Sequence, residues 1–268
     1  MLKDITLGQY FPGNSIAHKL DPRTKILLVT LYIIALFSAK GWMGYAVMVV
    51  TLAACVKVSH VGLRALVRGL KPLVFIIAFT GILNMFFTPD THYLWEWGIL
   101  RVSVKGIENA LFMVIRIMLL VMGTFLMTYT TSPIRLTDGL ESLLNPLKKI
   151  HVPVHELAMM MAIALRFIPT LIEETDKIMS AQKARGADFD SGNIFQKAKA
   201  LVPILVPLFI SAFRRADELA TAMECRCYHG GEGRTKLHVL KYQRRDYVAL
   251  AGGVVILALV VVLRRLGT

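Results

Sequence analysis

If this chain performs chemistry, few residues could carry it. His151 and His155 stand four apart, an interval that places two ligands on one helical face, but Pro153 lies between them and the H-E-x-x-H order of a zinc protease is absent. Cys225, Cys227 and His229 alternate; three soft ligands without a fourth at the usual spacing are a weak metal signal, and small residues around Arg226 are the simpler reading. The run from Gly230 to Lys236 is the nearest approach to a phosphate loop, with arginine where the phosphate-binding lysine should stand, so ATP hydrolysis by this chain alone is not expected. Arg116 and Arg166 lie in apolar stretches, where each costs about 2.5–3.5 kcal/mol and should face protein, water or a headgroup. No acid at mid-membrane matches them, since Glu108 and Glu156 stand only at segment ends, so a proton relay is poorly supported. The expectation is a chain with no catalytic residue, no metal and no cofactor of its own.

A different pattern appears in the charged centre of the sequence. Two apolar stretches, 157–165 and 200–213, run without a strong helix stop into amphipathic continuations, 173–185 and 214–226. Laid over one another, the continuations match at Asp176 and Asp217, at Ala181 and Ala222, and at the closing Arg185 and Arg226. Both arginines sit between small residues, Ala184 and Gly186 in the first case, Cys225 and Cys227 in the second. A guanidinium so flanked at a helix end can project into a partner's groove, where its planar fork pairs bidentately with carboxylates or caps carbonyls. Compensation of the helix dipole is the plainer use of such an arginine; the repetition is what favours docking.

The elements that position these residues are set by composition. With 55% hydrophobic and 18% charged residues and a mean hydropathy of +0.57, the 268-residue chain is too apolar for an ordinary soluble domain. Runs of near-spanning length occur at 26–39, 41–56, 72–89, 107–131 and 247–263, giving about five transmembrane helices. The fold class is therefore all-α and polytopic, in three parts: a membrane region 1–131 with four spans, a coupling region 132–246, and a last span within 247–268. The turn between the first two is only Lys40-Gly41, which allows a short hairpin or one long kinked segment, and the hairpin is the favoured reading. Pro169, Pro203 and Pro207 favour kinks in the central helices, and 132–150 forms a further amphipathic helix along the surface.

The net charge of +13 fits cytoplasmic loops or an acidic partner, and nucleic acid is not expected. Residues 57–71 are basic without an acid, whereas 90–105 are balanced and carry Tyr93, Trp95 and Trp97, residues suited to the outer interface. That places the N-terminus and residues 132–246 on the cytoplasmic side of the cell membrane. Arg23 and Lys25, ahead of the first span, are expected at headgroup level. The three cysteines form no disulfide framework.

Leu20-Asp21-Pro22-Arg23-Thr24-Lys25, together with helix ends Ala184-Arg185-Gly186 and Cys225-Arg226-Cys227, resembles the transmembrane T component of energy-coupling factor importers, ABC-type systems for cobalt, biotin and other vitamins. The likeness covers nearly the whole chain; cysteines stand where alanine, serine or glycine is customary in the second motif. The resemblance implies a non-catalytic scaffold joining two cytoplasmic ATPases, which bind the ATP, to a small membrane subunit that captures the substrate. It also implies that Arg185 and Arg226 dock the ATPases, with Ala184, Gly186, Cys225 and Cys227 as clearance. Asp176 and Asp217 would then orient the platform by pairing with its basic residues. An autonomous secondary transporter or channel would need charges and repeats among the spans, and the repeat lies elsewhere.

Overall fold

A computed structural model of the chain describes residues 10–88, 93–97, 100–187, 189, 193–231 and 239–266. Its elements are α1 (Ile16–Lys19), α2 (Pro22–Ser38), α3 (Gly41–Ser59), α4 (Leu63–Leu70), α5 (Val74–Phe87), β1 (Tyr93–Trp97), β2 (Leu100–Ser103), α6 (Val104–Thr130), α7 (Pro133–Leu144), α8 (Val154–Ala184), α9 (Ile194–Glu224) and α10 (Arg244–Arg265). Two compact units result, residues 8–142 with 240–268 and residues 143–239.

In the first unit each of the five apolar runs folds as a helix: α2, α3, α5, α6 and α10. α2 and α3 are separate helices joined by Ala39 and Lys40. Leu36, Met48, Leu66 and Val260 are fully buried and form one cluster with Leu52, Leu119 and Tyr129. In lipid this packing is held by close van der Waals fit rather than by escape from water. Phe75 is 79% exposed and Phe87 64% exposed on α5, surfaces that only lipid or an apolar partner can cover at that extent.

Two corrections concern the connections. Residues 57–71 are not a plain loop but contain α4, whose Leu66 and Leu70 are buried while Arg64 and Arg68 are exposed, an amphipathic spacing too short to stand out in the sequence. Residues 90–105 contain a short antiparallel hairpin, β1 with β2, so the chain is helical except for this one pair of strands among the described residues. The side chains of Tyr93, Trp95 and Trp97 lie outside the described residues, as do Asp188, Asp190 and residues 232–238.

Six described helical segments are long and apolar enough to cross a membrane, one of them the 25-residue run Leu63–Phe87 that carries α4 on into α5. They include α8 and α9, which the sequence divides into apolar halves too short to span and charged continuations. The helix is continuous through both halves, and through Pro169, Pro203 and Pro207, giving 31 residues each. The 17-residue α2 falls at the short edge of the spanning range and is not one of the six.

Arg116 is satisfied within the protein: its Nε donates to the Tyr45 hydroxyl at 2.9 Å, and the guanidinium lies 5.8 Å from the ring centres of Phe37 and Tyr45. Arg166 is exposed on α8.

The segment 21–25 is a polar staple: Arg23 and Lys25, expected at headgroup level, are both tied to groups of the protein itself. The Asp21 side chain caps α2 by accepting from the Arg23 amide at 2.9 Å, and its two oxygens accept from Arg23 Nε and Nη2 at 3.2 Å each. Arg23 Nη1 donates to Ser142, and the guanidinium stacks 4.2 Å from the Tyr242 ring centre. Lys25, 7% exposed, donates to the Thr130 carbonyl at 2.8 Å and to the Thr131 hydroxyl at 3.0 Å, closing the C-terminus of α6. Asp246, 1% exposed, accepts from the Asp21 amide at 2.9 Å while capping its own helix at the Gln243 amide, 2.7 Å away. Two bonds inside the protein fix the Lys25 ammonium at this end of the unit. The staple joins the start of α2, the end of α6 and the start of α10, so the central segment leaves this unit and re-enters it at one end.

Candidate functional site

α8 and α9 carry the two arginines, and the way each helix stops defines the site. At the end of α8 the Gly186 amide donates to the Lys183 carbonyl at 3.0 Å and the Ala187 amide to the Gln182 carbonyl at 3.0 Å. At the end of α9 the Cys227 amide donates to Glu224 at 2.8 Å and the Tyr228 amide to Met223 at 3.0 Å. Both are Schellman closures of the same register, the bond pair that satisfies the last free carbonyls of a helix. Each requires a left-handed residue immediately after the arginine, and φ is +88° at Gly186 and +55° at Cys227.

Arg185 and Arg226 therefore occupy one structural position, the last residue before the reversal. Both are exposed, and neither guanidinium has a hydrogen-bond or ion-pair partner among the described residues. Ala184, Gly186, Cys225 and Cys227 are exposed beside them. The backbone of each end is closed by its own hydrogen bonds, leaving the planar cation free to meet something outside the chain.

The cysteine at position 227 has a second role beyond being small. Gly186 adopts its φ without strain, whereas a side chain there costs roughly 1 kcal/mol. Replacing Cys227 with glycine is expected to stabilise the chain by up to about 1 kcal/mol, and Gly186→Ala to destabilise it by a similar amount. Thermal unfolding of the two variants in detergent checks this; shifts of the same sign contradict it. The signal was present in the superposed repeat, which sets Cys227 over Gly186.

The two helices are held by residues that identity matching passes over. Glu174 of α8 accepts a hydrogen bond from the Ser211 hydroxyl with one oxygen and pairs through the other with Arg215 Nη2 at 2.8 Å. Under the superposition that sets Arg185 on Arg226, Glu174 falls on Arg215, so one ion pair joins equivalent points of the repeat. Each arginine follows its member of the pair by the same interval, about three turns or roughly 16 Å of helix. The site is two equal arms from one pivot.

Pro207 adds a second tie. Having no N–H, it leaves the Pro203 carbonyl without its helical donor, and Gln182 Nε2 of α8 donates to that carbonyl at 3.4 Å. The contacts 174 with 211 and 215, and 182 with 203, run in opposite senses along the two helices, which therefore cross antiparallel. Beyond α9 the chain packs on the start of α8: a Cβ at Gly231 would lie 2.4 Å from His155 Cδ2, so only glycine fits there. Asp176 is half-buried and Asp217 exposed; neither forms an ion pair among the described residues.

The pivot pair is partly accessible, at 34% for Arg215 and 21% for Glu174, so its strength is that of a screened pair. A double-mutant cycle with Glu174→Ala and Arg215→Ala is expected to return a coupling of about 0.5–1 kcal/mol in detergent unfolding. A value near zero contradicts the pivot.

The chain matches the protein family described as CbiQ, cobalt transport protein, over residues 13–237. It is 52% identical over 263 residues to the energy-coupling factor transporter transmembrane protein EcfT of Ruminiclostridium cellulolyticum, with 98% of each chain covered. It is 57% identical over 250 residues to the EcfT of Clostridium kluyveri, with 93% of each covered. It is also 46% identical over 264 residues to the EcfT of Bacillus subtilis, covering 98% of this chain and all of that one.

Proposed function

The chain belongs to the family of energy-coupling factor transporter transmembrane proteins, and we propose that Arg185 and Arg226 are the points at which two cytoplasmic ATPases drive it. It is a multi-pass membrane protein and a non-catalytic component of its transport system. The observation that carries the docking role is the identical Schellman closure of α8 and α9, each presenting one exposed arginine without a partner among the described residues.

In this reading ATP binding closes the paired ATPases and moves the two helix ends relative to one another. The Glu174–Arg215 crossing serves as the pivot, and the apolar halves of α8 and α9 carry the displacement to a small membrane subunit that holds the substrate. Coupling then arises from differential contact in two states, with vitamins or similar micronutrients as cargo recognised on that other subunit. Asp176 and Asp217 are left to pair with basic residues of the assembled complex. The common end at which α2 begins, α6 stops and α10 begins is the cytoplasmic one, supported by the basic residues concentrated around it and by the common origin and return of the central segment. Residues 1–131, 132–246 and 247–268 correspond to the membrane region, the coupling region and the closing span.

Affinity purification of the tagged chain from its own membrane in mild detergent tests this. Recovery of ATPase subunits with a small membrane protein is the expected result. If no ATPase accompanies the chain, the coupling role is lost and autonomous transport takes its place.

A further inference from the structure

A groove of about 620 Å³ lies in the membrane unit between α2, α3, α6 and α10. Its wall on α2 runs from Lys25 to Ala35 and on α10 from Arg245 to Ile256. Each stretch is about 15 Å of helix, half of the roughly 30 Å hydrocarbon core, so the groove is one leaflet deep.

The interior offers nothing to a water-soluble ligand's hydrogen bonds. The hydroxyls that line it are spent within the protein: Thr51 on the Val47 carbonyl at 2.8 Å, Tyr32 on Leu119 at 2.9 Å, and Thr130 on Leu126 at 2.9 Å. The remaining wall is almost wholly aliphatic.

Charge gathers at one end only. Lys25 and Arg245 line that mouth, and Lys19 and Arg244 flank it in the chain. The acids nearby, Asp21 and Asp246, are turned into backbone caps. Arg245 gives two N–H groups to Gln243 and has further guanidinium donors to spare, and Lys25 retains a third ammonium donor beyond its two bonds. A leaflet-deep apolar channel with a cationic mouth fits the tail and headgroup of an acidic lipid, and anionic lipids are attracted to such basic pockets between transmembrane helices.

We propose that this groove holds an anionic phospholipid, its acyl chain along α2 and α10 and its phosphate against Arg245 and Lys25. Gly252 supplies a clean test. It lines the groove, and a Cβ added there meets no atom within 4 Å, so a larger side chain starts in open space on the channel wall.

The full-length chain, reconstituted in vesicles of equal phosphatidylglycerol and phosphatidylcholine and repurified in mild detergent, is analysed for retained lipid by mass spectrometry. Wild type is expected to retain phosphatidylglycerol at least about tenfold over phosphatidylcholine, a ratio within what two basic groups at a membrane surface supply. Gly252→Leu is expected to lose most of that lipid with an unchanged or raised unfolding temperature, because leucine is also the better helix former. Arg245→Gln is expected to bring the two lipids toward parity. Equal retention of both lipids by wild type overturns the proposal. So does undiminished phosphatidylglycerol in Gly252→Leu. If Gly252→Leu does not fold, the Arg245→Gln ratio decides alone.

Discussion

Replacing Arg185 and Arg226 together with alanine is expected to strip ATPases from the purified complex proposed above while the chain itself stays folded. The two halves of that result have separate causes. An interface arginine paired with a buried carboxylate costs about 2–5 kcal/mol to truncate, much of it from the stranded partner charge, so two such losses take retention far below the wild-type level. Stability is untouched because both side chains are exposed and the helix ends are closed by backbone bonds alone, as at Cys227 to Glu224 and Gly186 to Lys183. Exposed substitutions of this kind stay within about 0.5 kcal/mol. Either single variant is expected to uncouple ATP hydrolysis from uptake. Arg→Lys at either site restores only part of the loss, since an ammonium lacks the planar fork. Uptake and ATPase recovery unchanged in the double variant would remove the docking assignment.

The largest effect on folding falls at Asp246. Its carboxylate is 1% exposed and takes the amides of Asp21 and Gln243 at 2.9 and 2.7 Å. Alanine leaves the Asp21 amide stranded in a buried site, uncaps α10 at the Gln243 amide and removes a negative charge that acts on the buried Lys25 ammonium. Hydrogen bonds to charged groups are worth about 1.5–3 kcal/mol each, so Asp246→Ala is expected to lose about 3 kcal/mol or more. Asp246→Asn, which keeps one acceptor, falls between. Thermal unfolding in detergent measures both; an Asp246→Ala midpoint within about one degree of wild type contradicts the account, given that 1 kcal/mol moves the midpoint of a chain near this size by about 2–4 °C.

The membrane helices were legible because an apolar run of spanning length has one stable solution in lipid. Short amphipathic α4 and the β1–β2 hairpin were not, since their patterns fit an ordinary loop equally well. The arginine ends were legible by repetition, and Gly186 announced its own left-handed turn. The Glu174–Arg215 pair was hidden by the same repetition: a contact across two related helices places complementary residues at equivalent positions, and a search for identical residues discards them. Pro207 signalled a missing N–H, but the sequence had no means of showing that Gln182 on another helix takes the carbonyl it frees. The segment 21–25 drew attention as a motif, whereas its chemistry depends on partners far along the chain, Thr130 and Asp246. Gln243 and Asp246 have the three-residue spacing of a capping box, which is the local sign that Asp246 was structural.

The docking claim has a probe built into the chain. Cys225 and Cys227 flank Arg226 and are exposed in the isolated chain. Alkylation of these two thiols, followed by mass spectrometry in the assembled complex and in the chain freed of ATPases, tests it most directly. The account predicts that assembly slows modification at both cysteines by an order of magnitude or more, as the end of α9 enters the ATPase surface. Equal rates in the two states would show that this end faces solvent in the complex, and the assignment of Arg226 as an ATPase contact would fall.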